Sequence, residues 1–167
     1  MPILLSSCDI LRGKEYQKSY NFELILPDLG NFSGAEISQL CQSADFGEYS
    51  MTDIPSLRRA HEVFGYTGFF DKPPLIAEFL RTVPDVVSPY FQAWKNLIVT
   101  STGEYKPKNN YAQSVYIYFY DKGGMITGSY TLKGVFPKTF PSFKPDYKGS
   151  NLIVYRITFN VDQIDIG

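Results

Sequence analysis

At 167 residues, with 44% apolar and 20% charged side chains, the chain is long enough for one domain with a sizeable core and has an ordinary globular make-up. Lys+Arg is 16 and Asp+Glu is 17, a formal net charge of −1, which argues against the concentrated basic surface that gripping nucleic-acid phosphates requires. The apolar runs fall far below the ~20 residues of a membrane helix, so no membrane insertion is expected. The 13 Tyr, 13 Phe, 13 Gly and 11 Pro favour short strands and turns over long helices.

In chain order, residues 1–15 read as an N-terminal arm anchored by Ile3, Leu4, Leu5, Ile10 and Leu11, with neither the basic start nor the apolar length of a secretory signal. Ser19 to Leu26 alternates, placing Tyr20, Phe22, Leu24 and Leu26 on the buried side of a strand that ends at Pro27-Asp28-Leu29-Gly30. A second strand is expected over Ala35 to Ser43. Residues 44–70 mix polar, aromatic and glycine residues without a period, and read as a long loop or hairpin excursion. Leu75 to Thr82 is a third strand.

The period then changes. Ser88-Pro89 reads as N-cap and first helical position, and Tyr90, Phe91, Trp94, Leu97 and Ile98 follow at helical spacing, predicting one helix over about 88–100. Ser114 to Tyr120 is a strand with Val115, Ile117 and Phe119 on one face and Tyr116, Tyr118 and Tyr120 on the other. Asp121-Lys122-Gly123-Gly124 turns it into a second arm from Met125 to about Val135. The first face belongs inside; the tyrosine face needs cover, from the helix stripe or from a neighbouring subunit. A last strand, Leu152 to Asp162, turns Tyr155, Ile157, Phe159 and Val161 inward. The sum is a single mainly β domain spanning 1–167: two packed antiparallel sheets, as a barrel or sandwich, with one flanking helix.

Reactive groups do not converge in this sequence. His61 is the only histidine and sits beside Arg58-Arg59 without a nucleophile elbow, so it reads as a surface or interface residue. Gly13-Lys14 lacks the upstream glycine of a phosphate loop. Cys8 and Cys41 form no metal or redox motif and read as reduced thiols, which fits synthesis in a cytoplasm. The carboxylates Glu23, Glu78 and Asp162 lie on strands where a solvated face explains them, and Lys106 and Lys108 suit an exposed loop. No catalytic residue, cofactor or metal is expected.

Several passages carry a family resemblance, the closing strand that alternates and ends in Val161-Asp162 among them. Leu40-Cys41-Gln42-Ser43-Ala44 leads through an excursion to Asp53-Ile54-Pro55; Tyr90-Phe91-Gln92-Ala93-Trp94 lies on the sole helix; Leu132-Lys133-Gly134-Val135-Phe136-Pro137 follows the late hairpin. In order and spacing these resemble the tail tube proteins of contractile-tailed bacteriophages, over about Tyr20 to Asp162. The related tubes of type VI secretion and extracellular contractile injection particles share that fold. The resemblance implies a structural virion protein, assembled in the host cytoplasm, whose hexameric rings stack helically into a hollow conduit for genome delivery. It implies a sheath outside, a tape-measure protein and passing DNA in the lumen without specific binding, and baseplate or initiator partners. The alternatives are a tube subunit of a bacterial injection or secretion system, or a monomeric β-barrel ligand-binding domain.

Alternation nominates lumen-facing residues: Asn21, Glu23, Glu78, Thr127, Ser129, Thr131, Lys133, Arg156, Thr158, Asn160 and Asp162. For stacking or other inter-subunit contacts, the arm and the excursion nominate Ile3, Leu4, Leu5, Tyr49, Arg58, Arg59, His61, Phe64, Tyr66 and Phe69.

Overall fold

The computed structural model describes residues 21–46, 50–59, 62–141 and 152–167, with the backbone alone over 50–59 and 62–71. Its strands are β1 (Phe22–Ile25), β2 (Cys41–Phe46), β3 (Ser50–Arg59), β4 (Glu62–Asp71), β5 (Leu75–Leu80), β6 (Gln113–Tyr120), β7 (Ile126–Pro137), β8 (Val154–Asn160) and β9 (Gln163–Ile166). Two α-helices accompany them, α1 (Gly34–Gln39) and α2 (Val87–Ile98). Seven strands form one antiparallel sheet in the order β1-β6-β7-β8-β5-β2, with β9 beside β7, while β3 and β4 pair with each other.

β7 makes a sandwich out of that one sheet. Its first part pairs with β6 on one side and, through Tyr130 to Lys133, with β9 on the other. Its end, Phe136–Pro137, pairs with β8. Between the two registers sits Gly134 at φ 66, a conformation that costs glycine little and other residues more. The strand therefore passes from one layer to the other, and β1-β6-β7-β9 packs over β2-β5-β8. The sandwich is not a closed barrel, because the end strands β1 and β2 are not paired with each other.

The inward alternation holds where expected. Leu24, Leu75, Ala77, Phe79, Val115, Ile117, Leu132, Tyr155, Ile157, Phe159 and Val161 are all buried in one core. α2 lays its stripe on the same inner side. Phe91 meets Phe79 at 5.5 Å and Phe159 at 5.9 Å between ring centroids, and Trp94 meets Phe159 at 5.9 Å. The polar atoms carried in with these rings are satisfied: Tyr90 donates its hydroxyl to Pro27 O at 2.7 Å, and Trp94 donates Nε1–H to Tyr111 O at 2.9 Å.

Four sequence expectations change. Ala35 to Ser43 is not one strand but α1 followed by β2. Asp28 Oδ1 accepts the Gly34 N–H at 2.7 Å, and Ser38 Oγ accepts from Leu26 N at 3.0 Å while donating to Gly34 O at 2.8 Å. Those tertiary bonds hold six residues that are too few to form a helix alone. The start of α2 is capped by Asp85 rather than Ser88: the carboxylate accepts from Val87 N and Ser88 N, and Ser88 Oγ donates to it at 2.7 Å. β9 has no counterpart in the expected strands. Lastly, α2 does not cover Tyr116, Tyr118 and Tyr120, because it packs on the opposite, inner side of the layers.

Within the excursion, the described residues 50–59 and 62–71 form a strand pair. β3 and β4 pair from Ser50↔Asp71 to Arg59↔Glu62, and Pro55 falls in a register shift between Ile54 and Leu57, where a missing N–H is tolerated. Because Phe46 pairs with Leu75, the hairpin arises directly from that end of the β2–β5 ladder.

Candidate functional site

Most of the nominated polar residues sit on two outer faces. On β1-β6-β7-β9, the face turned from the core carries Glu23, Tyr116, Tyr118, Ser129, Thr131 and Lys133, as the cross-strand pairs Glu23↔Tyr118, Tyr118↔Ser129 and Tyr116↔Thr131 show. The rings of Tyr116 and Tyr118 stack 6.4 Å apart and only 3° from parallel. Tyr120 donates its hydroxyl to Glu23 Oε2 at 2.6 Å, and that bond, made to a carboxylate, raises the phenol above its ordinary value. Lys133 Nζ lies 2.6 Å from Asp165 Oδ2, and hydrogen bonds from Lys133 and Gln163 hold that carboxyl below the usual range. Asn21 precedes β1 and accepts from Tyr120 N at 3.0 Å; Thr127 is exposed near the β6–β7 turn.

On β2-β5-β8 the outer face is differently made. Glu78 stands opposite Arg156, Ile76 opposite Thr158, and Ser43 Oγ donates to Glu78 Oε2 at 3.1 Å. Asn160 continues the Arg156–Thr158 row and donates Nδ2–H to Asp162 Oδ1 at 3.3 Å. Asp162 is a corner rather than a face residue: Lys72 donates to its backbone carbonyl, Lys108 pairs with its carboxylate, and its own N–H bonds Lys133 O at 3.0 Å. The inner sides of both layers share one core, so the two outer faces point away from each other. Glu78, Arg156, Thr158 and Asn160 are thus brought together, and so are Glu23, Ser129, Thr131 and Lys133, but the two groups do not meet.

Among the nominated inter-subunit residues, Arg58 and Arg59 lie on β3 and Phe64, Tyr66 and Phe69 on β4. Ile3, Leu4, Leu5, Tyr49 and His61 lie outside the described residues, as do Cys8 and Gly13-Lys14. Among the described residues no group of three or more His, Cys, Asp and Glu side chains is placed to hold a metal. Cys41 is a free thiol that burial pushes up to about 12, although it donates to Ser43 O at 3.4 Å. Such a thiol stays protonated and is a poor nucleophile. No described helix is long and apolar enough to cross a membrane.

Two features escaped the sequence reading. β9 contributes Asp165, the partner of Lys133; its four residues alternate too briefly to signal a strand. Exposed apolar side chains also gather at the sandwich ends, Val83 and Leu152 at one and Met125 and Ile166 at the other, which only strand register reveals.

No protein-family model matches this chain, and no curated protein sequence is a significant match. Solved structures do match. The tube-terminating cap of the anti-feeding prophage is similar over 92% of this chain and 92% of its own, at 17% identity and a TM-score of 0.66. A chain of the sheath–tube complex of an extracellular contractile injection system, in its extended state, is similar over 98% of this chain and 99% of its own, at 15% identity and a TM-score of 0.66. The sheath/tube terminator of such a system matches over 93% and 99%, at 15% identity and a TM-score of 0.67. The fold of this chain is the fold of those proteins.

Proposed function

We propose that this chain is a structural subunit of a contractile-tail inner tube, forming hexameric rings that stack into a hollow conduit. The observation that carries the reading is the likeness, over 92–98% of this chain and nearly all of theirs, to a tube-terminating cap, a sheath–tube complex and a sheath/tube terminator. The open sandwich supports it. An unclosed sheet with end strands β1 and β2 is the kind of body that neighbours can continue, turning aggregation-prone edges into a ring.

The lumen wall in this reading is the β2-β5-β8 face, with Glu78, Arg156, Thr158 and Asn160. Mixed charge and small polar groups on that face give passing DNA few phosphate grips, so transit is not braked. Asn21, Glu23, Thr127, Ser129, Thr131 and Lys133 then face outward beside Tyr116 and Tyr118, where tyrosine suits contact with protein. Sheath, tape-measure and baseplate partners follow from the same reading. The hairpin of β3 and β4, with Arg58, Arg59, Phe64, Tyr66 and Phe69, serves contacts between rings, as do Ile3, Leu4, Leu5, Tyr49 and His61.

Catalysis has no part in this role. Sedimentation velocity across a concentration series, with negative-stain images of the fractions, tests it. Rings and striated tubes are expected; a single monomeric species at every concentration would overturn the reading in favour of a monomeric binding domain. Nucleic acid or protein recovered from purified tubes tells a genome conduit from an injection-particle tube.

A further inference from the structure

We infer that the two ends of the sandwich are complementary halves of one head-to-tail contact between copies of this chain. Strand register defines the ends. At one, Leu80 pairs with Val154; at the other, Leu75 pairs with both Phe46 and Phe159, and the β3–β4 hairpin leaves from there. From its pairing with β8 at Phe136, β7 extends back through Tyr130 to Ile126. The ring of Phe46 lies 6.2 Å from that of Tyr130, so the β6–β7 turn belongs to the hairpin end.

Of the ten large apolar side chains exposed among the described residues, seven stand at these two ends. At the first, Val83 is 100% and Leu152 72% exposed, beside Ile153 and Val154. Arg81 N donates to Ile153 O at 2.9 Å, which fastens the two segments side by side into one patch. At the hairpin end, Met125 is 71%, Ile126 58% and Ile166 76% exposed, the last beside its cross-strand partner Tyr130. Single exposed apolar residues need no explanation, but two clusters with few others elsewhere do.

The occupant follows from the placement. Two patches of one chemistry at opposite ends of one hydrogen-bonded ladder meet when copies line up along the strands. Different residues form the two patches, so the contact is heterologous and propagates along an axis instead of closing a dimer. This rests on the stacked assembly proposed above and adds where successive copies touch. Beside the first patch Arg81 pairs with Asp85 at 3.3 Å, which lowers the cost of covering that charge when the patch docks.

The test uses two variants of the full chain: Val83→Asp with Leu152→Asp, and Met125→Asp with Ile126→Asp. All four positions are exposed, so melting temperatures are expected to stay within a few degrees of wild type. Each variant should form rings yet yield less than a tenth of the wild-type tubes. Rings of the two variants, assembled separately and then mixed, should join into two-ring stacks and no further. Tubes growing normally from either variant overturn the inference, as do paired rings of one variant alone or no pairing in the mixture. Wild type that forms no rings at all overturns the tube reading itself.

Discussion

Tyr155 on β8 donates its hydroxyl to Asp85 Oδ2 at 2.7 Å across a separation of 70 residues. The same carboxylate accepts from Val87 N, Ser88 N and Ser88 Oγ, and pairs with Arg81. One side chain therefore fixes the start of α2 and the position of that helix on the sheet. Partial burial pushes its pKa up, but the hydrogen bonds from Tyr155, Ser88 and Val87 together outweigh this and leave it below the usual value.

A lowered folded pKa means that the stabilisation is complete above the ordinary carboxylate value, about 3.9, and is lost as pH falls through the folded value. Asp85→Asn should therefore flatten the loss of stability below about pH 4. Asp85→Ala should cost about 2 kcal/mol at neutral pH, from a lost cap and the lost hydrogen bond with Tyr155. Chemical denaturation from pH 2 to 7 checks both. An unchanged acid limb in Asp85→Asn would contradict the assignment.

Gly134 and Asp162 form a second dependency. A Cβ at Gly134 would run into the Asp162 carboxylate, and φ 66 is itself unfavourable for alanine. Gly134→Ala should destabilise by about 2–4 kcal/mol. In an Asp162→Ala background the carboxylate is gone and the cost should fall, leaving the contact with the Cβ of residue 162 at 2.8 Å and a backbone cost of about 1–2 kcal/mol. A double-mutant cycle by urea denaturation measures the difference; additive effects would show that the carboxylate is not what crowds this bend.

Cys41 gives a kinetic prediction. Burial raises its thiol to about 12 from an ordinary ~8.5, so the folded chain keeps the proton where the unfolded chain releases it. The resulting stabilisation is complete below the ordinary value and is lost as pH rises toward about 12. In a Cys8→Ser background, iodoacetamide at pH 8.5 should alkylate Cys41 at least tenfold more slowly than glutathione, until denaturant is added. Equal rates would place the thiol in solvent.

Much of this architecture was legible in the sequence. Alternation in Leu152 to Asp162 and helical spacing in Tyr90 to Ile98 report burial directly, and Tyr155, Ile157, Phe159, Tyr90 and Trp94 are buried accordingly. α1 was not legible, because what makes it helical is the distant pair Asp28 and Leu26 rather than its own six residues. The division of the polar residues between two faces was hidden for a related reason. Period-two alternation tells inside from outside within a strand, but not which of two opposed outsides a strand presents. That depends on β7 changing layers at Gly134, a long-range event with one glycine as its local trace.

The most direct test of the central claim is a cryo-EM reconstruction of the chain polymerised at high concentration. The account predicts a hollow tube of stacked rings with Glu78, Arg156, Thr158 and Asn160 lining the lumen and Tyr116 and Tyr118 turned away from it. A tube whose lumen is lined by Tyr116 and Tyr118, or a preparation containing no rings, would contradict it.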